Sequence, residues 1–165
     1  MTSAGHLARR FVGSLRPGGP RAADVVWVGE QLLPGELALW RAMPGPDRRH
    51  SVGVARRVQQ SLPDADRPVL AAALLHDVGK TRVGLRTPGR VVATLVGMAR
   101  GRERAAQGDG RIARYLRHDA IGADLLEAAG SDPLTVAWTR EHHLPRDQWS
   151  LPLEVADALK AADDD

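Results

Sequence analysis

The run VLAAALLHDVGK, residues 69–80, constrains the fold more than any other part of the chain. Its apolar residues leave no polar face, which indicates a helix buried on every side. Asp66 precedes the run as a candidate N-cap, and Pro68 fits the first turn, where its missing N–H costs nothing. We predict that this helix is central, that Gly79 ends it, and that it presents the adjacent pair His76–Asp77 at its polar end.

The apolar residues elsewhere predict an all-α fold. The chain has 165 residues and is 43% hydrophobic, mainly Ala, Leu and Val, a composition that suits helices packed on helices. No stretch alternates as a strand would. We expect a helical N-terminal extension at residues 1–44 and one helical bundle domain at 45–165, with Asp47 as the N-cap of the helix that carries His50. Further helices are predicted at 4–15, 24–33, 35–43, 90–100, 111–117, 120–129 and 152–163, and a mobile loop at 101–110.

Composition excludes several classes of function. The chain has no cysteine, so a metal would have to be held by His and carboxylate side chains. Apart from Lys80 and Lys160 the basic residues are all arginine; the net charge of +3 suits an anionic phosphate ester or reflects composition alone. No basic block is interleaved with aromatics, so no nucleic-acid partner is indicated. No apolar run predicts a signal peptide or a membrane span, and we expect a cytoplasmic protein.

Five of the six histidines accompany aspartates in an ordered series. The series comprises His50, His76–Asp77, His118, His142–His143 and Asp163. Each member alone has an ordinary explanation, such as a surface histidine, a turn, a polar helix end or a solvated tail. Together they predict a site for divalent metal, which prefers neutral imidazole and carboxylate ligands.

The spacing of the series is compatible with two ions. Asp77 is the natural bridging carboxylate. One ion would be held by His50, His76 and Asp163, and a second by His118 and His142, with or without His143. The ion could be Fe, Mn, Zn, Ni or Mg.

Five motifs in this order resemble the HD-domain superfamily of metal-dependent phosphohydrolases, from about Arg49 to Asp163. They are HSVGVA from His50, LLHDVGK, YLRHDAIGADLL, EHH and ALKAAD. The resemblance implies an all-α fold and hydrolysis of a small phosphorylated substrate, often a nucleotide, by metal-activated water. It implies that His50, His76, Asp77 and Asp163 hold the first ion, and that His118 and His142 hold a second ion or contact phosphate.

Some assignments within this resemblance stay open. Asp157, in VAD, is the alternative to Asp163 as the last ligand. Lys80 follows the HD-x-G pattern and is expected to bind phosphate, or else it is only a cation at a helix end. His143 is expected to protonate the leaving group. For the N-terminal 40 or so residues three roles stay open: they could cover the core, make a homodimer contact through Trp27 or Trp40, or form a lid over the site.

Departures from the family patterns make two branches of the HD-domain superfamily poor matches to this chain. LPRDQW follows His142–His143 where the cyclic-di-GMP branch has a Gly-Tyr-Pro motif, and Pro46 stands where its three-metal members have a carboxylate. Val78-Gly79-Lys80 replaces the acidic pair of the alarmone hydrolases. Two other functions fit the same residues: a non-catalytic HD-fold module that binds a nucleotide or a partner protein, and an HD-fold oxygenase with two irons.

Overall fold

The computed structural model describes residues 18–85 and 87–164. These residues form helices and no strand, which confirms the all-α prediction. The helices α1 to α10 span, in order, Ala22–Gln31, Pro34–Ala42, Gly45–Ser61, Arg67–Leu75, Thr87–Arg100, Arg102–Ala105, Arg111–Leu116, His118–Ala128, Pro133–Glu141 and Leu153–Asp164. Two 3-10 helices cover Val78–Arg82 and Arg146–Gln148. The helix predicted at 4–15 lies outside the described residues.

Helix α4 is the centre of the bundle, as its sequence predicts. Every residue from Val69 to Leu75 is buried, and the Asp66 carboxylate accepts a hydrogen bond from the Val69 N–H at 3.2 Å. Helices α3 and α9 pack along α4, and α10 packs on α3 and α4. The core therefore surrounds the helix that leads into His76.

The end of α4 differs from the prediction. The helix stops at Leu75 with His76 as its C-cap, and the chain continues into the 3-10 helix. Gly79 lies inside that 3-10 helix, and its φ is not positive. The prediction that Gly79 ends α4 is wrong, because the turn is made earlier, at the His76–Asp77 pair.

Gly79 instead allows two backbones to approach closely. A Cβ at Gly79 would overlap the His118 carbonyl oxygen and lie 2.6 Å from the Gly122 nitrogen. A Cβ at Gly122 would lie 3.1 Å from the Gly79 nitrogen and 2.9 Å from a Thr139 methyl group. The 3-10 helix and α8 thus pack glycine on glycine, which brings His118 beside the end of α4.

Several predicted element boundaries are corrected. Helix α3 begins at Gly45, so Asp47 lies inside its first turn rather than capping it. The Asp47 carboxylate is bound instead by Arg90, whose Nη1 donates to both oxygens at 2.8 Å. Helix α5 begins three residues before the predicted start, α8 begins at His118, and the segment predicted as a loop at 101–110 contains α6.

The first two helices contribute to the main core. Val28 and Trp40 are fully buried in it, and the Trp40 indole N–H donates to the Ser51 hydroxyl at 3.0 Å. The proposed dimer contact through Trp40 is therefore wrong, because this side chain is not exposed to a partner. Trp27 is half-buried beneath the Arg56 guanidinium, 3.6 Å from the ring centre. The domain boundary at residue 44 stays a prediction, and no described helix is long and apolar enough to cross a membrane.

Candidate metal centre

Six side chains of the predicted series converge at the polar end of α4. His50 comes from α3, His76 and Asp77 follow α4, His118 opens α8, His142 caps α9 and Asp163 lies near the end of α10. His50 is half-buried and the other five are buried. Residues from five separate helices therefore meet in one small volume that is largely closed to solvent.

Three of the histidines are oriented by the same local hydrogen bond. The ring Nδ1 of His76 lies 3.0 Å from the Ala73 carbonyl oxygen. The corresponding distances are 2.7 Å from His118 to Tyr115 and 2.9 Å from His142 to Thr139. A carbonyl oxygen only accepts, so Nδ1 carries the proton in each case. In the neutral ring the Nε2 lone pair then faces the centre, the arrangement usual for histidines that bind metal.

Asp77 lies between two groups of imidazoles. Its Oδ1 is 3.2 Å from His118 Nε2 and 3.9 Å from His142 Nε2. Its Oδ2 is 3.5 Å from His76 Nε2 and 2.5 Å from Lys80 Nζ. Each carboxylate oxygen thus faces a different set of nitrogens, as a carboxylate between two cations would.

Asp163 and Asp157 have different surroundings. Asp163 Oδ1 lies 3.1 Å from His50 Nε2 and 3.4 Å from His76 Nε2. The Asp157 side chain is 47% exposed and forms two hydrogen bonds with Arg146 on the surface. The helix directs these two carboxylates to opposite environments, and only Asp163 enters the centre.

The two buried carboxylates dominate the charge at His76. Burial alone would lower the pKa of His76, but Asp77 and Asp163 outweigh it and raise that pKa above its ordinary value. Burial alone would raise the pKa of Asp77, but Lys80 and the imidazoles hold it well below its ordinary value. A carboxylate that stays ionised in a buried volume, as Asp77 does, requires positive charge beside it.

Three other imidazoles, those of His118, His142 and His143, are held neutral. Burial and the neighbouring His76 lower the pKa of His142 to about 3. Burial, together with Lys80, also lowers the pKa of His118. His143 is exposed at one side, but its ring packs on His142 with centroids 4.0 Å apart, and burial together with this neighbour holds the pKa of His143 well below its ordinary value. Neutral imidazole is the form that binds metal.

The donor atoms fit a bound divalent ion. Two sets each hold three potential ligand atoms within 4.8 Å of one another, namely His50, His76 and Asp77, and His118, His142 and His143. The buried Nε2 atoms of His76 and His142 have no hydrogen-bond partner. These buried nitrogen lone pairs have no hydrogen-bond donor and lie near the ionised Asp77 carboxylate, so a cation fits as their missing partner.

Comparison with protein families adds an independent observation. The family model described as the HD domain matches residues 48–164, about seven tenths of the chain. The chain belongs to the HD domain family. Neither a curated protein nor a solved structure matches it significantly. The match covers α3 to α10, the part of the HD fold that contributes all six converging side chains.

Two structural roles in this HD domain were not predicted from the sequence. Arg57 donates two hydrogen bonds, at 2.9 and 2.7 Å, to the Ala162 carbonyl oxygen near the C-terminal end of α10. A guanidinium at this end of a helix also interacts favourably with its dipole. The contact fixes α10 on α3 next to Asp163. The second role that was not predicted is the close packing of Gly79 on Gly122. Both glycines are part of motifs that the sequence shows, HD-x-G and His-x-x-x-Gly.

Proposed function

We propose that the protein is a metal-dependent phosphohydrolase that acts on a phosphate ester of a small molecule such as a nucleotide. The observation that carries the proposal is the set of Nε2 atoms turned inward by Nδ1–carbonyl hydrogen bonds around Asp77 and Asp163. The family match supports the same class of reaction. A site of histidines and carboxylates, without thiolates, suits hard or borderline divalent ions.

The ligands divide into two groups in this proposal. His50, His76, Asp77 and Asp163 would hold one ion, and His118 and His142 would hold a second, with Asp77 between them. The 3.1 Å separation of His50 and Asp163 and the two orientations of the Asp77 oxygens support this division. When bound, such an ion supplies a Lewis acid that activates water and neutralises phosphoryl charge.

Lys80 and His143 are the proposed groups around the substrate. Lys80 Nζ lies beside Asp77 and 6.0 Å from the centre of the Tyr115 ring, at the edge of the ligand cluster. From there its charge would bind a phosphoryl oxygen. His143 Nε2 lies 3.4 Å from His118 Nε2. Because its pKa is lowered, His143 is neutral near pH 7; a proton-donor role would require it to take up a proton first, and a ligand role would not.

The test joins metal content to hydrolysis. The purified protein is analysed for bound metal, reconstituted with each candidate ion, and assayed for phosphate release from a panel of nucleotides and sugar phosphates. Asp77→Ala is expected to lose both metal and activity. Asp157→Ala is the matched control, since that carboxylate lies outside the centre. Normal metal content in Asp77→Ala would refute the central role of this carboxylate.

Two results would replace the proposal with its alternatives. Metal retention and nucleotide binding without phosphate release by any reconstituted form would assign a binding module. Two equivalents of iron together with an O₂-dependent product would assign an oxygenase, because the same nitrogen and oxygen ligands serve iron.

A further inference from the structure

Helix α5 exposes its large apolar residues and buries its small ones. Ala93 is fully buried, and Gly97 packs against α7. On the other side, Val92, Leu95 and Met98 are 50%, 58% and 68% exposed. A helix on the surface of a globular domain normally has the opposite arrangement, with its large apolar side chains facing the core.

The exposed side chains form one continuous surface, which we name the α5 apolar face: Val91, Val92, Leu95 and Met98. At about 100° per residue these four fall within about 120° of the helix circumference. No charged residue occurs between 91 and 99. In the described part of the chain, the other large exposed apolar residues are single side chains on separate elements. A contiguous patch, unlike isolated residues, indicates an interaction site.

The segment of the chain that contains the face is rich in arginine. Residues 82–117 contain nine arginines and two acids, and two of the arginines, Arg90 and Arg102, form ion pairs with Asp47 and Asp119 outside the segment. About five positive charges of the segment are left uncompensated, whereas the whole chain carries only +3. The remainder of the protein is therefore net negative. Arg100 and Arg104 follow the face along the chain and are exposed. The positive charge and the exposed apolar residues thus occur in the same segment, α5 to α7.

This charge decides between possible occupants of the face. A second copy would bring two arginine-rich segments together, and like charges disfavour that pairing. Residues 1–17 include Arg9, Arg10 and Arg16 and no acid, so they have the same wrong sign. A protein interface is normally enriched in aromatic residues, and this aliphatic face has none. An anionic lipid surface supplies both the apolar layer and the negative charge that the segment lacks.

We infer that the α5 apolar face docks on a membrane surface rich in anionic phospholipid. The aliphatic side chains would enter the boundary between headgroups and acyl chains, and the flanking arginines would contact the phosphates. The protein would lie on the membrane rather than span it. The inference goes beyond the proposed hydrolase activity and does not depend on it.

The test is sedimentation of the full chain with lipid vesicles. We expect binding to mixed phosphatidylcholine–phosphatidylglycerol vesicles, little binding to pure phosphatidylcholine vesicles, and release by about 0.5 M salt, which screens the charges. Leu95→Gln/Met98→Gln should weaken binding more than about tenfold, because two apolar side chains no longer leave water. Val26→Gln is the matched control: Val26 is 65% exposed on α1, and its replacement should leave binding unchanged.

Other outcomes would overturn the inference. The inference is refuted if the protein does not bind the anionic vesicles. It is also refuted if the double variant binds them as well as wild type does, because the contact would then lie elsewhere, for example in residues 1–17. A wild-type dimer in ultracentrifugation that the double variant dissociates would assign the face to a second copy. Binding of poly-glutamate in place of vesicles would assign an acidic protein partner. Circular dichroism and urea midpoints check that the variants remain folded.

Discussion

Replacing Gly79 by alanine tests the contact that aligns two of the motifs. The new Cβ would overlap the His118 carbonyl oxygen and lie 2.6 Å from the Gly122 nitrogen, and both of these are backbone atoms. No side chain can rotate away to make room, so α8 must retreat by more than about 1 Å to restore van der Waals contact. The backbone at Gly79 does not have positive φ and would accept alanine. The whole effect therefore comes from packing.

The expected loss is large for so small a substitution. Overpacking of a core costs about 1–3 kcal/mol, and two backbone overlaps place Gly79→Ala at about 3 kcal/mol or more, a large part of a typical stability of about 5–15 kcal/mol. The same retreat of α8 would lengthen the 3.2 Å separation between His118 and Asp77. We therefore expect weaker metal binding in any variant that remains folded.

Urea denaturation followed by circular dichroism measures the change in free energy of unfolding. Gly29→Ala is the matched control, since a Cβ there meets nothing within 4 Å and Gly29 lies inside α1. That variant should gain about 0.5–1 kcal/mol, because alanine favours helix. If Gly79→Ala unfolded within about 0.5 kcal/mol of wild type, the close packing of the 3-10 helix on α8 would be refuted.

Three further predictions concern the charged centre. In metal-free protein the pKa of His142 is lowered to about 3, so below about pH 6.5 this histidine takes up a proton when the protein unfolds, and the free energy of unfolding falls as pH is lowered. Between pH 7.5 and 5 the loss due to His142 should be about 2 kcal/mol. It is measured as the difference between urea titrations of wild type and His142→Gln. Because Asp77 and Asp163 raise the pKa of His76, a proton competes with metal there, and calorimetry should show metal affinity falling and proton release growing as pH is lowered. Asp163→Asn should weaken metal binding by at least about tenfold, whereas equal affinities in Asp163→Asn and Asp157→Asn would remove Asp163 from the ligand set.

The sequence predicted the parts of this fold that depend on local rules. The apolar run of α4 and its Asp66 cap follow from periodicity and capping chemistry. The convergence of the six side chains followed from the order of short motifs, and all six meet at the end of α4. Their function as ligands stays a prediction.

Features that depend on distant residues could not be predicted in this way. Asp47 looked like an N-cap, but its partner Arg90 is 43 positions away. Arg57 gave no signal of its contact with Ala162, because the partner is a backbone carbonyl, which every residue has. The outward face of α5 was hidden for another reason: periodicity identifies an apolar face but does not say whether the protein covers it.

Three of the histidine rings, those of His76, His118 and His142, are held by hydrogen bonds that reach back only three residues. Each Nδ1 proton is donated to a carbonyl in the preceding turn. The orientation of each ring therefore depends on four consecutive residues rather than on the whole bundle. Any residue type supplies that carbonyl. Most other positions could therefore change over evolution without rotating a ring away from the centre. A lineage can diverge until few residues outside the motifs are shared and still preserve the orientation of these three rings.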